Sequence, residues 1–146
     1  MALSTFGAIM GFAAEMVGQA RLACEVLLEK AKNPELIELL HQLVTEEEKN
    51  QALMERTRRE HVTEMILEPI AGLYKKDYDV HLNQAEQKDD ADLLRVALML
   101  QTREKRFFDD ASAKVPLPEV ARIFRKISKK KEENLARLQV LRSTRK

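Results

Sequence analysis

Six polar residues stand where helical spacing calls for apolar ones: Glu47, Asn50, Gln101, Glu104, Lys131 and Asn134. Each continues an apolar series in steps of three or four, so all six are expected to face one interior. Carboxylates gathered in such a place either hold a hard cation such as iron, with imidazole nitrogens beside it, or pair with a protonated side chain. Unpaired buried charge costs several kcal/mol, so Lys131 is expected to pair with Glu47 or Glu104. Asn50 and Asn134 are expected to bond each other or to flank the pair, in a network that fixes helix register. The competing expectation lays the Lys131 stem along the bundle and its ammonium in water.

Other chemistry-bearing residues fall into weaker patterns. Glu15 and Glu48 lie 33 residues apart, with Gln51 one step of three beyond. That register would bury Glu15 and Gln19 in place of Ala13, Val17 and Ala20, and so gives a less apolar stripe. His41 shares a helix face with Glu48, but two helical turns, roughly 10 Å, separate them. Asp77, Asp79 and His81 could form a small metal site in the crossover, although solvated loop residues are much the stronger reading. Cys24 sits on an apolar stripe and reads as a buried, inert thiol. Met54, Met65 and Met99 read as core or interface filler. A basic stretch carries Arg122, Arg125, Lys126, Lys129, Lys130, Arg137, Arg142, Arg145 and Lys146. Cations near a helix C-terminus are favoured by the helix dipole, and no aromatic residues interleave them, which speaks against nucleic acid. The chain shows no Gly-rich phosphate loop, no Glu-x-x-His among the interior-facing positions, no paired cysteines and no Ser–His arrangement.

The elements that must position these residues are helical. The chain has 146 residues, of which 45% are hydrophobic and 34% charged, with only four Gly and four Pro. That fits one domain with a sizeable core and argues against a turn-rich β fold. The 25 Lys and Arg nearly balance 24 Asp and Glu, so no bulk charge selects a polyanion. One cysteine suits a reducing compartment. No apolar run has the length of a membrane span, and residues 6–14 lack a preceding basic segment, so they do not read as a signal peptide. A cytoplasmic location is expected.

Helices are expected over about 5–32, 34–61, 90–112 and 118–143. Ser4 or Thr5 can cap the first, whose stripe is Ile9, Ala13, Val17, Ala20, Cys24 and Leu27. Asn33 can cap the second, with Pro34 at its first turn. Its stripe is Leu36, Leu40, Leu43, Glu47, Asn50 and Met54. The third carries Leu93, Ala97, Leu100, Gln101, Glu104, Phe107, Phe108 and Ala111, and starts at Asp89 or Asp90. The fourth opens at Pro118 and carries Val120, Ile123, Phe124, Ile127, Lys131, Asn134 and Leu138. Residues 62–89 form a crossover, with a short helix suggested by Met65, Ile66, Ile70 and Leu73. Short loops between helices one and two, and between three and four, imply two antiparallel hairpins.

Pro34-Glu35-Leu36 and Pro118-Glu119-Val120 repeat at an offset of 84 residues. The same offset aligns Leu40 with Phe124, Leu43 with Ile127, Glu47 with Lys131, Asn50 with Asn134 and Met54 with Leu138. Backward it aligns Ile9 with Leu93, Ala13 with Ala97, Val17 with Gln101, Ala20 with Glu104 and Cys24 with Phe108. Self-similarity of this length is the mark of a repeated helix hairpin.

On these residues the chain resembles the ferritin-like superfamily, and within it the rubrerythrin-like group. Met16-Val17-x-x-Ala20-x-x-Ala23-Cys24 and Leu100-Gln101-x-x-Glu104-x-x-Phe107-Phe108 match the group's apolar-Glu-x-x-Ala-x-x-Phe-Tyr helices. Glu47-x-x-Asn50 and Lys131-x-x-Asn134 stand where the group has Glu-x-x-His after a Pro-Glu start. The resemblance implies an all-α, ferritin-like four-helix bundle in one domain, residues 1–146. It also implies di-iron ligand positions at Val17, Glu47, Asn50, Gln101, Lys131 and Asn134. Only Glu47 keeps the group's residue. The expectation is therefore a bundle that has lost its di-iron centre, needs no cofactor, catalyses nothing and acts as a structural or interaction protein, as a homodimer. The alternative is a di-iron oxidoreductase or iron-binding protein with ligands drawn from Glu15, Glu47, Glu48, Gln51 and Glu104. A third reading makes the basic stretch an adaptor for an acidic partner, whose capture would depend strongly on salt.

Overall fold

Apolar residues spaced for helices, three of the four series opened by a capping side chain, build four helices in a computed structural model that describes residues 2–61, 70–80, 82 and 87–144. They are α1 (Phe6–Lys30), α2 (Pro34–Glu60), α3 (Asp90–Lys114) and α4 (Pro118–Thr144), with a 3-10 turn at Lys75–Tyr78 between α2 and α3. Among the described residues there is no strand, only an isolated bridge between Ala2 and Tyr74. No helix among them is long and apolar enough to cross a membrane.

The caps select the starts. Thr5 Oγ1 accepts from Ala8 N, Asn33 Oδ1 from Glu35 N and Leu36 N, and Asp89 Oδ1 from Asp92 N. Each satisfies amide donors that have no partner within their own helix. α1 stops at Lys30, two residues before the expected end, and α3 runs two residues past its expected end. Three-residue connections, 31–33 and 115–117, join α1 to α2 and α3 to α4.

α1 packs mainly on α2, and α3 on α4. The core falls into two apolar clusters. One gathers Ile9, Met10, Ala13, Val17 and Met54 with Phe107, Phe108, Phe124 and Ile127. The other gathers Cys24, Leu27, Leu36, Leu40 and Leu43 with Leu93, Ala97, Leu100 and Leu138. α3 buries more than its expected stripe, adding Leu94, Val96 and Leu98, because it touches α1, α4 and the 3-10 turn at once.

The crossover departs from expectation. Met65 and Ile66 lie outside the described residues, and Ile70 and Leu73 are not helical. They run alongside the N-terminal segment, with Leu3 N donating to Leu73 O and Ile70 N to Ser4 O, both at 2.8 Å. Gly72, between them, has φ +91°, a conformation that L side chains rarely adopt. The helical turn forms later, at Lys75–Tyr78, where Tyr78 is buried among Phe12 and Phe107 and donates to Asp110 Oδ2 at 2.6 Å. At the other end Asp90 accepts from Lys32 N and Asn33 N, tying the α1–α2 connection to the start of α3.

Candidate functional site: a buried ionic cluster

Between the two apolar clusters, α2, α3 and α4 each contribute charge. Lys131 stands on the inner stripe of α4 between Ile127 and Asn134, and its side chain is fully buried. Its Nζ lies 3.0 Å from Glu46 Oε1, 3.1 Å from Glu47 Oε1 and 3.4 Å from Glu104 Oε1. These contacts are held by charge and distance; none has the alignment of a strong hydrogen bond. Gln101 Nε2 donates to Glu47 Oε2 at 3.3 Å and to Glu104 Oε1 at 3.5 Å. Asn134 Nδ2 donates to Glu46 Oε1 at 2.9 Å and to Gln101 Oε1 at 3.1 Å. Glu104 Oε2 and Asn134 Oδ1 find no donor among the described residues.

Three carboxylates face one ammonium, so the cluster is electrostatically lopsided. Burial first, and then the charge of Glu47, push the Glu104 carboxyl well above its ordinary value of 4.5, against the pull of Lys131. A proton on Glu104 relieves the excess charge. Burial alone would lower the Lys131 pKa, but Glu104, Glu47 and Glu46 together outweigh it and hold the ammonium above its usual 10.5. On α1, Cys24 is buried beside this cluster. Burial, then the negative charges of Glu47 and Glu104, push its thiol upward, away from the reactive thiolate.

Of the six polar stripe residues, the structure buries Glu47, Gln101, Glu104, Lys131 and Asn134. Asn50 is the correction. It is only half-buried and makes no side-chain hydrogen bond among the described residues. The Asn50–Asn134 bond is absent: Asn134 gives both amide hydrogens to Glu46 and Gln101 and so flanks the ion pair, and its Oδ1 receives nothing from Asn50. Glu46 takes the place foreseen for Asn50. Sequence reasoning missed it because it sits one residue off the stripe, and its long side chain reaches inward from the helix flank. The available signal was three consecutive glutamates, Glu46 to Glu48, opposite a lysine at core spacing.

Val17 is fully buried in the apolar cluster, whereas Glu15, Gln19 and Glu48 are exposed. Gln51 is half-buried and accepts from Arg21 Nε at 3.2 Å. It lies against Gly18, where a Cβ would come within 2.9 Å of its amide nitrogen. The alternative ligand set is therefore not brought together: Glu47 and Glu104 point in, while Glu15 and Glu48 point out. His41 is exposed on α2, His61 ends α2 beside Phe6 and Glu119, and His81 lies outside the described residues, as does any site it would make with Asp77 and Asp79. The basic residues of α4 from Arg122 to Lys130, with Arg137 and Arg142, are exposed; Arg145 and Lys146 lie outside the described residues.

These residues do not fit a di-iron centre. The ligand positions implied by the resemblance hold an alkyl group at Val17, three amides at Asn50, Gln101 and Asn134, and an ammonium at Lys131 in contact with the carboxylates a metal would need. No family profile, curated protein or solved structure matches the chain.

Proposed function

We propose that the chain is a ferritin-like bundle of two antiparallel helix hairpins, rubrerythrin-like in its helix motifs, whose metal centre has been replaced by an internal ion pair. Its role is then non-catalytic, as a structural or interaction protein. The observation that carries this reading is the contact of the fully buried Lys131 ammonium with Glu47 and Glu104, at 3.1 and 3.4 Å. A cation covalently attached to the chain neutralises the carboxylates and cannot leave, so the core needs no metal supply. The partner state that goes with this reading is a homodimer, which light scattering on the full chain decides: a monomeric mass removes it.

The test is elemental analysis of protein purified without chelator and then offered ferrous iron anaerobically. The expected outcome is no stoichiometric iron and an unchanged melting temperature, since a ligand bound to the folded state would raise it. About two irons per chain, lost on Glu47→Ala, would overturn the proposal and restore an oxidoreductase.

A further inference from the structure

We propose that the cleft between α3, α4 and the 3-10 turn binds a small organic anion with a phosphate headgroup. The cleft encloses about 410 Å³, in the range of small-molecule sites. Met99, Thr102, Arg103 and Arg106 line it from α3 at steps of three, one and three, and Gln139 and Arg142 line it from α4. Three guanidinium groups thus converge on one space. None makes a salt bridge with a described residue, unlike Arg21, Arg56 and Arg95. The Arg106 guanidinium lies over the Tyr78 ring, 5.3 Å from its centroid, a cation–π contact that holds it at the cleft.

Arg103 gives the second, independent observation. Its Nε is buried and has no acceptor among the described residues. A buried donor without an acceptor is costly, and a ligand oxygen would satisfy it once the guanidinium turns toward the cleft. Asp77 and Asp79 also line the cleft and oppose the three guanidinium groups, so its positive charge is tempered rather than strong. Three forked donors outnumber the two oxygens of a carboxylate but suit the oxygens of a phosphate, which guanidinium groups bind in paired hydrogen bonds. Val80, Leu98 and Met99 supply an apolar wall for the body of the molecule.

The experiment is calorimetric titration of the full chain at about 0.15 M salt with phenyl phosphate, inorganic phosphate, phenol and a short single-stranded oligonucleotide. Phenyl phosphate is expected to bind more tightly than inorganic phosphate, and phenol not at all. Arg103→Gln and Arg142→Gln are each expected to weaken phenyl phosphate about tenfold, while Arg137→Gln, in the separate groove between α2 and α4, leaves it unchanged. Should Arg103→Gln fail to fold by circular dichroism, the exposed Arg142 carries the comparison. Absence of phenyl phosphate binding overturns the proposal. So does equal weakening by Arg137→Gln, which would mean general surface charge. So does tighter binding of the oligonucleotide with a steep salt dependence, which would mean a polyanion surface.

Discussion

Lys131 Nζ lies 3.1 Å from Glu47 Oε1, and neither side chain is reached by solvent. Removing one member of such a pair leaves the other charged and buried. Lys131→Met is therefore expected to destabilise the fold by about 3–5 kcal/mol, read from the urea midpoint. Adding Glu47→Leu and Glu104→Leu to Lys131→Met should recover most of that loss, because an apolar core of similar volume replaces an ionic one at little net cost. A single-variant loss under about 1 kcal/mol would mean that the lysine escapes to water.

Stability should depend on pH through Glu104. Its folded pKa is raised, so the native state holds a proton that the unfolded chain releases above about 4.5. The native state then binds more protons, and stability falls as pH rises from 4.5 through the raised folded value. Burial, Glu47, Lys131 and Arg103 set that value. Lys131 is raised as well, so its contribution is complete below 10.5 and is lost as pH rises through its folded value. Glu104→Gln mimics the protonated carboxyl. Urea midpoints measured from about pH 5 to about pH 8 should lose their downward slope in this variant, and an unchanged slope would place the proton elsewhere.

Tyr78 joins the 3-10 turn to α3 through Asp110 and through edge contacts with Phe107 at 5.2 Å between ring centres. Tyr78→Phe keeps the ring and loses a hydrogen bond to a carboxylate, at an expected cost of about 1.5–3 kcal/mol. Tyr78→Ala also opens a cavity and is expected to cost about 3–5 kcal/mol. Thermal melts of the two variants separate the terms. Equal losses would mean that the ring contributes nothing beyond its hydroxyl.

Cys24 is fully buried, and its thiol is held in the protonated form by burial and by the neighbouring carboxylates. Alkylation by iodoacetamide in native buffer should be slow and should become fast in urea, with mass spectrometry reading the adduct. Rapid native labelling would show that α1 opens beside the ionic cluster.

The four helices were legible because their starts carry local signals. Thr5, Asn33 and Asp89 cap, and Pro34 and Pro118 sit where a missing N–H costs nothing. The inward stripe of α2 was legible down to Glu47 because apolar spacing identifies the buried face. Beyond that point the pattern weakens, since stripe position says which way a backbone bond points and not how far a long side chain bends. Glu46 reaches inward from beside the stripe, and Asn50, on it, stays half-buried. The crossover was hard to read because its order comes from contacts distant in sequence, Leu3 with Leu73 and Tyr78 with Asp110. The arginine cleft has no signal in the sequence, because Arg103 and Arg106 belong to α3 and Arg142 to α4, and only packing unites them.

Glu47 and Lys131 occupy the same position of the 84-residue repeat, one in each helix pair. The second half carries a counter-charge of its own, since Lys131 also meets Glu104 of α3, whereas the first half brings Glu46 and Glu47 to the cluster and no cation. Two copies of the α1–α2 pair packed face to face would set glutamate against glutamate, in an interior without water to screen them. The ion pair thus works as a polarity mark: the α1–α2 half needs a cation that the α3–α4 half supplies.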